Sequence, residues 1–289
     1  MSSSANVSAA DEARAYPRRG VVYVAPRQDL LDEARISIRS LKRSNPGIHA
    51  ILYTDLVDEE AGFDEVRTPP MCRTGYMDKV VAMPDTPYEE TLFLDSDTYV
   101  VSSLEPVFDL LERHDLAAAR STGPVTVPTE GIPPAFAEFN TGVIAFRDND
   151  AIRAFFDAWK REYKRLEDTR VPRLTDQPAF RNALYRSGLH FYQLGAEYNC
   201  RIPFSGFLNA PVAVLHGRDR SLLSLSLRKL FRNRGPGDPT RAAERFFDGV
   251  AKRLNRRPHR PRVHWTTLSR GVAARLGGLK VTLYHALRS

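Results

Sequence analysis

The run Thr91-Leu92-Phe93-Leu94-Asp95-Ser96-Asp97-Thr98-Tyr99-Val100 constrains this chain more than any other stretch. Residues of strand character lead into two carboxylates spaced two apart, and apolar residues resume at once. In an extended chain, side chains two apart point the same way, so Asp95 and Asp97 are expected to face one small volume. Two carboxylates at the end of a buried strand repel each other and are costly to desolvate. A divalent cation relieves that cost, and oxygen ligands suit Mg²⁺ or Mn²⁺. A cation held this way is placed to bridge a diphosphate.

The flanking sequence alternates strands with helices. Gly20 to Ala25 and His49 to Tyr53 read as strands around a helix at 29–44, where Leu30, Ala34, Ile38 and Leu41 recur at helical spacing before the breaker Asn45-Pro46-Gly47. A helix at 75–83, the strand Thr91 to Leu94, a helix at 105–113 and the strand Leu116 to Ala119 follow. Residues 121–138 carry Pro124, Pro128, Pro133 and Pro134 and read as a surface loop near the site. The strand Phe139 to Phe146 comes next, then a helix at about 149–167 burying Ile152, Phe155, Phe156 and Trp159. Thr175-Asp176-Gln177-Pro178 opens another helix, with Thr175 or Asp176 as N-cap. Strands at Leu189 to Leu194 and Ala210 to Leu215 end the series, the last running into His216-Gly217. This order predicts an α/β fold with a mostly parallel central sheet flanked by helices.

Charge divides the chain. Residues 218–289 hold 18 Lys and Arg against four acids, a net of +14; the whole chain is +7, so residues 1–217 sum to −7. The expected organisation is a flexible tail at 1–19, an α/β domain at 20–217 and a basic helical extension at 218–289. Asp238-Pro239 starts a helix in which Ala243, Phe247, Val250 and Leu254 recur among basic residues; 271–287 shows a looser version, and 256–262 reads as a linker. Such segments resemble interfacial amphipathic helices, so peripheral contact with an anionic membrane is expected; a helical extension packed on the domain is the rival reading. Charge alone also admits nucleic acid, but no recognised binding module is visible, so nucleic acid is not the expected partner. Only Cys72 and Cys200 are present, and no apolar run resembles a signal peptide or a membrane span. The expected location is the cytoplasm, with the inner face of the membrane as a peripheral site.

Several ordered motifs between residues 20 and 217 make the sequence resemble the metal-dependent nucleotide-sugar glycosyltransferases of GT-A fold, closest to glycosyltransferase family 8. Leu92-Phe93-Leu94-Asp95-Ser96-Asp97 looks like the family's metal motif. Phe139-Asn140-Thr141-Gly142-Val143 is similar to its F-N-[ST]-G-[VI] strand, Thr175-Asp176-Gln177-Pro178 to its D-Q motif and Tyr198-Asn199 to its later Y-N. His216 resembles the third metal ligand.

The resemblance implies a site in which Asp95, Asp97 and His216 hold Mn²⁺ or Mg²⁺, the imidazole favouring Mn²⁺. It also implies that Ala25, Lys79, Ser96, Asn140, Thr141, Gly142, Asp176, Gln177, Gly217 and Arg218 contact a nucleotide-sugar donor, with UDP the expected nucleotide. Asp176, Gln177 and Lys79 would be catalytic, the Lys79 ammonium offsetting charge on the departing diphosphate. Transfer with retention to a carbohydrate or glycolipid acceptor hydroxyl follows.

Two departures stand out. Where the family has A-x-D-x-x-Y, this chain has Ala25-Pro26-Arg27-Gln28-Asp29-Leu30, and its G-x-x-K-P-W is reduced to Gly217-Arg218-Asp219-Arg220 after His216. They keep open a catalytically inactive binding or scaffold protein on the same fold. A phosphotransferase or phosphatase of haloacid-dehalogenase type also opens on a strand and D-x-D, but on its first strand and with Thr or Val where Tyr99 stands.

Overall fold

The computed structural model describes residues 16–56, 62–70, 75–202, 207–217 and 239–255. Arg218, most of the expected N-terminal tail, the linker at 256–262 and the pattern at 271–287 lie outside the described residues.

The main sheet has seven strands: β1 (Arg19–Val24), β2 (His49–Tyr53), β3 (Glu65–Arg67), β4 (Glu90–Leu94), β6 (Leu116–Arg120), β7 (Phe139–Arg147) and β8 (Phe191–Leu194), in the order β3-β2-β1-β4-β7-β6-β8. All run parallel except β7, which is antiparallel to both its neighbours. The expected mostly parallel α/β sheet is what forms. β1 and β4 are central, covered on both faces, and their side chains alternate between two cores. Val21, Tyr23, Leu92 and Leu94 meet helix α1 (Gln28–Ser44), while Val22, Val24 and Phe93 share a core with α4 (Asp150–Asp168) and α5 (Asp176–Arg186).

Local chemistry sets the helix boundaries. α1 ends at Asn45, whose N–H caps the Leu41 carbonyl at 2.7 Å before Pro46 blocks continuation. α4 starts on Asn149, whose side chain accepts from the Ile152 N–H at 2.8 Å. Helix α2 (Met77–Ala82) and helix α3 (Glu105–Asp109) are shorter than expected, each finishing in a 3-10 turn, at Met83–Asp85 and Leu110–Glu112.

A second, three-stranded sheet of β5 (Thr98–Val100), β10 (Val214–His216) and β9 (Cys200–Arg201), in that spatial order, stands where β4 ends. The final strand begins later than expected. The Ala210 N–H is already donated to Glu197 and Pro211 has no N–H, so regular pairing starts at Val214. α1 clamps the sheet: Ser40 Oγ accepts from the Val100 N–H at 2.9 Å, and Ser37 and Thr98 hydroxyls meet at 2.8 Å.

Helix α6 (Pro239–Asn255) closes this side. Phe247 stacks on Tyr99 with centroids 4.7 Å apart, and Asp248 accepts from Tyr99 and Arg43. Phe247, Ala251 and Leu254 are buried in one core with Tyr99, Val212 and Leu215, with Phe246 and Val250 partly covered. Phe247 and Leu254, read from sequence as part of a membrane-facing stripe, therefore face the protein, because the second sheet offers them a dry partner surface. No described helix is long and apolar enough to cross a membrane.

Candidate active site

Asp95, Ser96 and Asp97 carry the chain from β4 into β5, that is, from one sheet to the other. The expected extended geometry does not form. Thr98 closes back on the Asp95 carbonyl with its N–H (3.2 Å) and its hydroxyl (2.8 Å), making a turn. The turn is pinned from two sides: Asp95 N–H to Gly142 O at 2.8 Å, and Gly217 N–H to Asp97 O at 3.1 Å. Convergence of the two carboxylates thus comes from a tight turn between sheets.

His216, at the end of β10, meets that turn. Its Nε2 lies 3.6 Å from Asp95 Oδ2 and 3.3 Å from Asp97 Oδ1. Ligand atoms of the three residues fall within 4.8 Å of one another. Gly142 makes room for the ring: a Cβ there would sit 2.0 Å from His216 Cε1. Burial works against protonation of His216, but Asp97 and Asp95 outweigh it and raise its affinity for a proton. Burial likewise pushes the Asp95 carboxyl up, yet the Lys79 charge and His216 hold it below the usual carboxylate range.

One hydrogen-bond chain orients the imidazole and runs on through the site. His216 Nδ1 is 2.7 Å from Asn199 Oδ1, an acceptor, so Nδ1 carries the proton and the Nε2 lone pair is left toward the acids. Asn199 Nδ2 donates to Asn140 Oδ1 at 2.9 Å, and Asn140 Nδ2 donates to Gln177 Oε1 at 2.8 Å. Asn140 Oδ1 also accepts from the Gly142 N–H at 3.0 Å.

Lys79 on α2 is buried, not a solvated surface lysine. Its Nζ lies 3.2 Å from Asp95 Oδ1 and 3.1 Å from Asp176 Oδ2, and donates to Thr141 O and Oγ1 at 3.1 and 3.2 Å. Burial opposes its charge, but Asp176 and Asp95 raise its proton affinity well above that of an ordinary lysine. Asp176 Oδ2 is fully buried and finds only this ion pair, with no well-aligned hydrogen bond; burial pushes its carboxyl up despite Lys79. Asp176 itself is set by α4, where Trp159 Nε1 donates to its carbonyl at 3.1 Å.

A cavity of about 540 Å³ opens over these groups. Lys79, Asp95, Ser96, Asp97, Asn140, Thr141, Asp176, Gln177 and His216 all line it. Ser96 is anchored by its hydroxyl to Glu33 of α1 at 3.1 Å. Ala25 sits in the core between the lining residues Val24 and Pro26. Gly142 lies behind His216, and Gly217, at φ +102°, forms the exit from β10; neither lines the cavity. The 121–138 loop reaches the rim through Ser121, Thr122 and Gly123 and is tied down by Arg181, which donates to the Phe136 and Pro133 carbonyls.

Some participants had no place in the sequence-derived site. Asn199 was signalled by the Tyr198-Asn199 pair. Arg27, Tyr76 and Arg201 line the cavity with no sequence signal beyond residue type.

No protein-family model matches the sequence, and no curated protein matches it by sequence comparison. Solved structures do resemble the fold. The galactosyltransferase LgtC in complex with donor and acceptor sugar analogs superposes with a TM-score of 0.51 at 17% identity, covering 81% of this chain and 95% of LgtC. An active-site mutant of LgtC gives 0.51 at 16% identity, over 79% and 95%. The glycosyltransferase GlyE of Streptococcus pneumoniae TIGR4 gives 0.51 at 19% identity, over 81% of this chain and 65% of GlyE. At these identities the likeness is one of architecture, and that architecture is the GT-A fold.

Proposed function

We propose that this chain is a metal-dependent glycosyltransferase that moves a sugar from a nucleotide-diphosphate donor, with UDP the expected nucleotide, to an acceptor hydroxyl with retention. The observation that carries this reading is His216, brought by a separate sheet onto Asp95 and Asp97 inside the cavity that Asn140, Asp176 and Gln177 also line. Two carboxylates and an imidazole with its Nε2 lone pair directed inward fit Mn²⁺, with Mg²⁺ as the harder alternative. When bound, such a cation would neutralise charge on the donor's diphosphate.

The protein's own groups then have distinct tasks. Lys79, with its N–H groups spent on Asp95, Asp176 and Thr141, pairs with both acids and fixes their separation. This supports a positioning role, in place of direct contact with the departing phosphate. Gln177 has its carbonyl oxygen taken by Asn140, so its amide N–H₂ is the group left to meet the sugar. Asp176 is locked in an ion pair. Neither residue is then free to serve as a nucleophile, which supports displacement on one face of the sugar. In that step the bond from C1 to the diphosphate oxygen breaks, the acceptor oxygen bonds C1 on the same face, and the acceptor proton passes to the departing diphosphate.

Location at the inner face of a membrane and a glycolipid acceptor belong to the same proposal. The test is a thermal-shift panel of UDP-, GDP- and TDP-sugars with Mn²⁺, followed by assay of Mn²⁺-dependent donor hydrolysis without acceptor. Stabilisation by one donor with hydrolysis that chelator stops is the expected result. Stabilisation without hydrolysis would favour a catalytically inactive scaffold, and no stabilisation by any donor would reject the reading.

A further inference from the structure

Arg201 is an anomaly beside the metal-ligand candidates. β9 pairs with β10 in parallel, and the register sets Arg201 opposite His216. Its Nη1 lies 3.5 Å from His216 Nδ1 and 3.4 Å from Nε2. A group nearly equidistant from both ring nitrogens at this range lies over the ring. The ring offers it no lone pair, since Nδ1 donates to Asn199 and Nε2 faces Asp95 and Asp97. Among the described residues, no carboxylate lies within ion-pair distance of Arg201. Gly217 leaves the guanidinium its space: a Cβ there would approach Arg201 Cζ to 3.3 Å. Arg201 also lines the cavity.

Charge bookkeeping in this cluster gives the anomaly a purpose. Asp95 and Asp97 would balance a divalent cation held there, and Lys79 is paired with Asp176 and Asp95. Arg201 is then a surplus positive charge, with planar N–H donors that match phosphate oxygens. Once a cation occupied the site, it would repel a guanidinium lying over its histidine ligand unless an anion bridged the two. We propose that Arg201 binds the diphosphate of the donor, taking oxygens of the phosphate nearest the sugar and stabilising the charge that develops there as the glycosidic bond breaks. This inference rests on the donor reading above and assigns within it a residue that the sequence motifs do not touch.

The experiment compares wild type with Arg201→Gln and Arg201→Lys by titration calorimetry in Mn²⁺, using paired probes: UDP and UMP, GDP and GMP, TDP and TMP. For the pair whose diphosphate binds wild type, Arg201→Gln is expected to lose about tenfold or more in diphosphate affinity and about twofold or less in monophosphate affinity. Arg201→Lys should recover part of the loss, since the charge returns without the planar fork. Unchanged diphosphate affinity in Arg201→Gln would overturn the inference and leave the donor reading intact. Equal losses for both members of a pair would also overturn it, by showing a general structural effect. Failure of wild type to bind any of the diphosphates would bring down the donor reading and this inference with it.

Discussion

Two regions of this molecule are equally buried and chemically opposite. Between α4, α5 and the sheet lie Phe146, Phe155, Phe156, Trp159 and Phe180, all but dry and all aromatic. At the strand ends beside them lie Lys79, Asp176, Asn199 and His216, equally dry and all polar or charged. The first region needs nothing from outside, since each buried aromatic contributes about 1.5–3 kcal/mol by leaving water. The second is stable only because its groups partner one another, and it remains short of complete satisfaction at Asp176. The Trp159 indole joins the two by donating to the Asp176 carbonyl. The contrast teaches that burial marks the core, whereas buried charge set around a cavity marks the place where a ligand completes the structure.

The sharpest way to test that contrast is to damage each region separately. Asp97→Ala is expected to lower Mn²⁺-dependent donor turnover by roughly a thousandfold or more. Its unfolding free energy in chelator should change by about 1 kcal/mol or less, because one of two crowded carboxylates is removed. Trp159→Ala should do the reverse in kind, costing about 3–5 kcal/mol in urea unfolding through the cavity it leaves. Turnover of Asp97→Ala in chelator at the wild-type rate would erase the distinction.

Lys79→Met probes the seam next. Removing the cation strands the buried Asp176 without its partner, and a loss of about 3–5 kcal/mol in stability is expected. Lys79→Met combined with Asp176→Asn should regain most of that stability in urea melts while leaving turnover low. A double variant no more stable than Lys79→Met would show that the pair is not the seat of the cost.

The same contrast explains which parts were legible from sequence. The aromatic core and central strands were, because continuous apolar runs such as Thr91 to Leu94 and helical spacing such as Ile152, Phe155, Phe156 and Trp159 record burial directly. β3 and β9 were not: Glu65–Arg67 and Cys200–Arg201 are too short to carry a period, and only pairing with β2 and β10 makes them strands. Asp95 and Asp97 were found, but through the wrong geometry, since two-residue spacing suggests an extended chain and not a turn between sheets. His216 could be joined to them only by family resemblance, as its approach depends on β10 pairing with β5. The apolar stripe of α6 was visible as well. What covers it was not, because a helical period says that one face is dry without saying against what.

Asn199 offers a smaller and more selective effect. Asn199→Ala frees the imidazole of His216 to turn, and Mn²⁺ affinity should fall about 10–100-fold. Asn199→Asp keeps an acceptor for Nδ1 but loses the donor to Asn140, so it should retain Mn²⁺ affinity while turnover falls. Calorimetric Mn²⁺ titration read beside turnover separates the two links of the chain. Equal Mn²⁺ affinities for the alanine variant and wild type would show that the histidine is oriented by Gly142 and the protein around it alone.

The smallest effect is expected on the outer face of α6, where the comparison of dry and charged surfaces reaches solvent. Arg245 and Lys252 are exposed there, while Phe247, Ala251 and Leu254 point inward. Reversing both charges, with Arg245→Glu and Lys252→Glu together, should therefore shift stability by about 0.5 kcal/mol or less. With Phe247, Ala251 and Leu254 already committed to the protein, this helix has chiefly charge to offer an anionic bilayer. Vesicle binding through it must then weaken in the doubly reversed variant and fade as salt screens the attraction. Sedimentation with anionic vesicles across a salt series measures both. Binding that survives high salt and charge reversal would mean that an apolar surface other than the buried stripe enters the membrane.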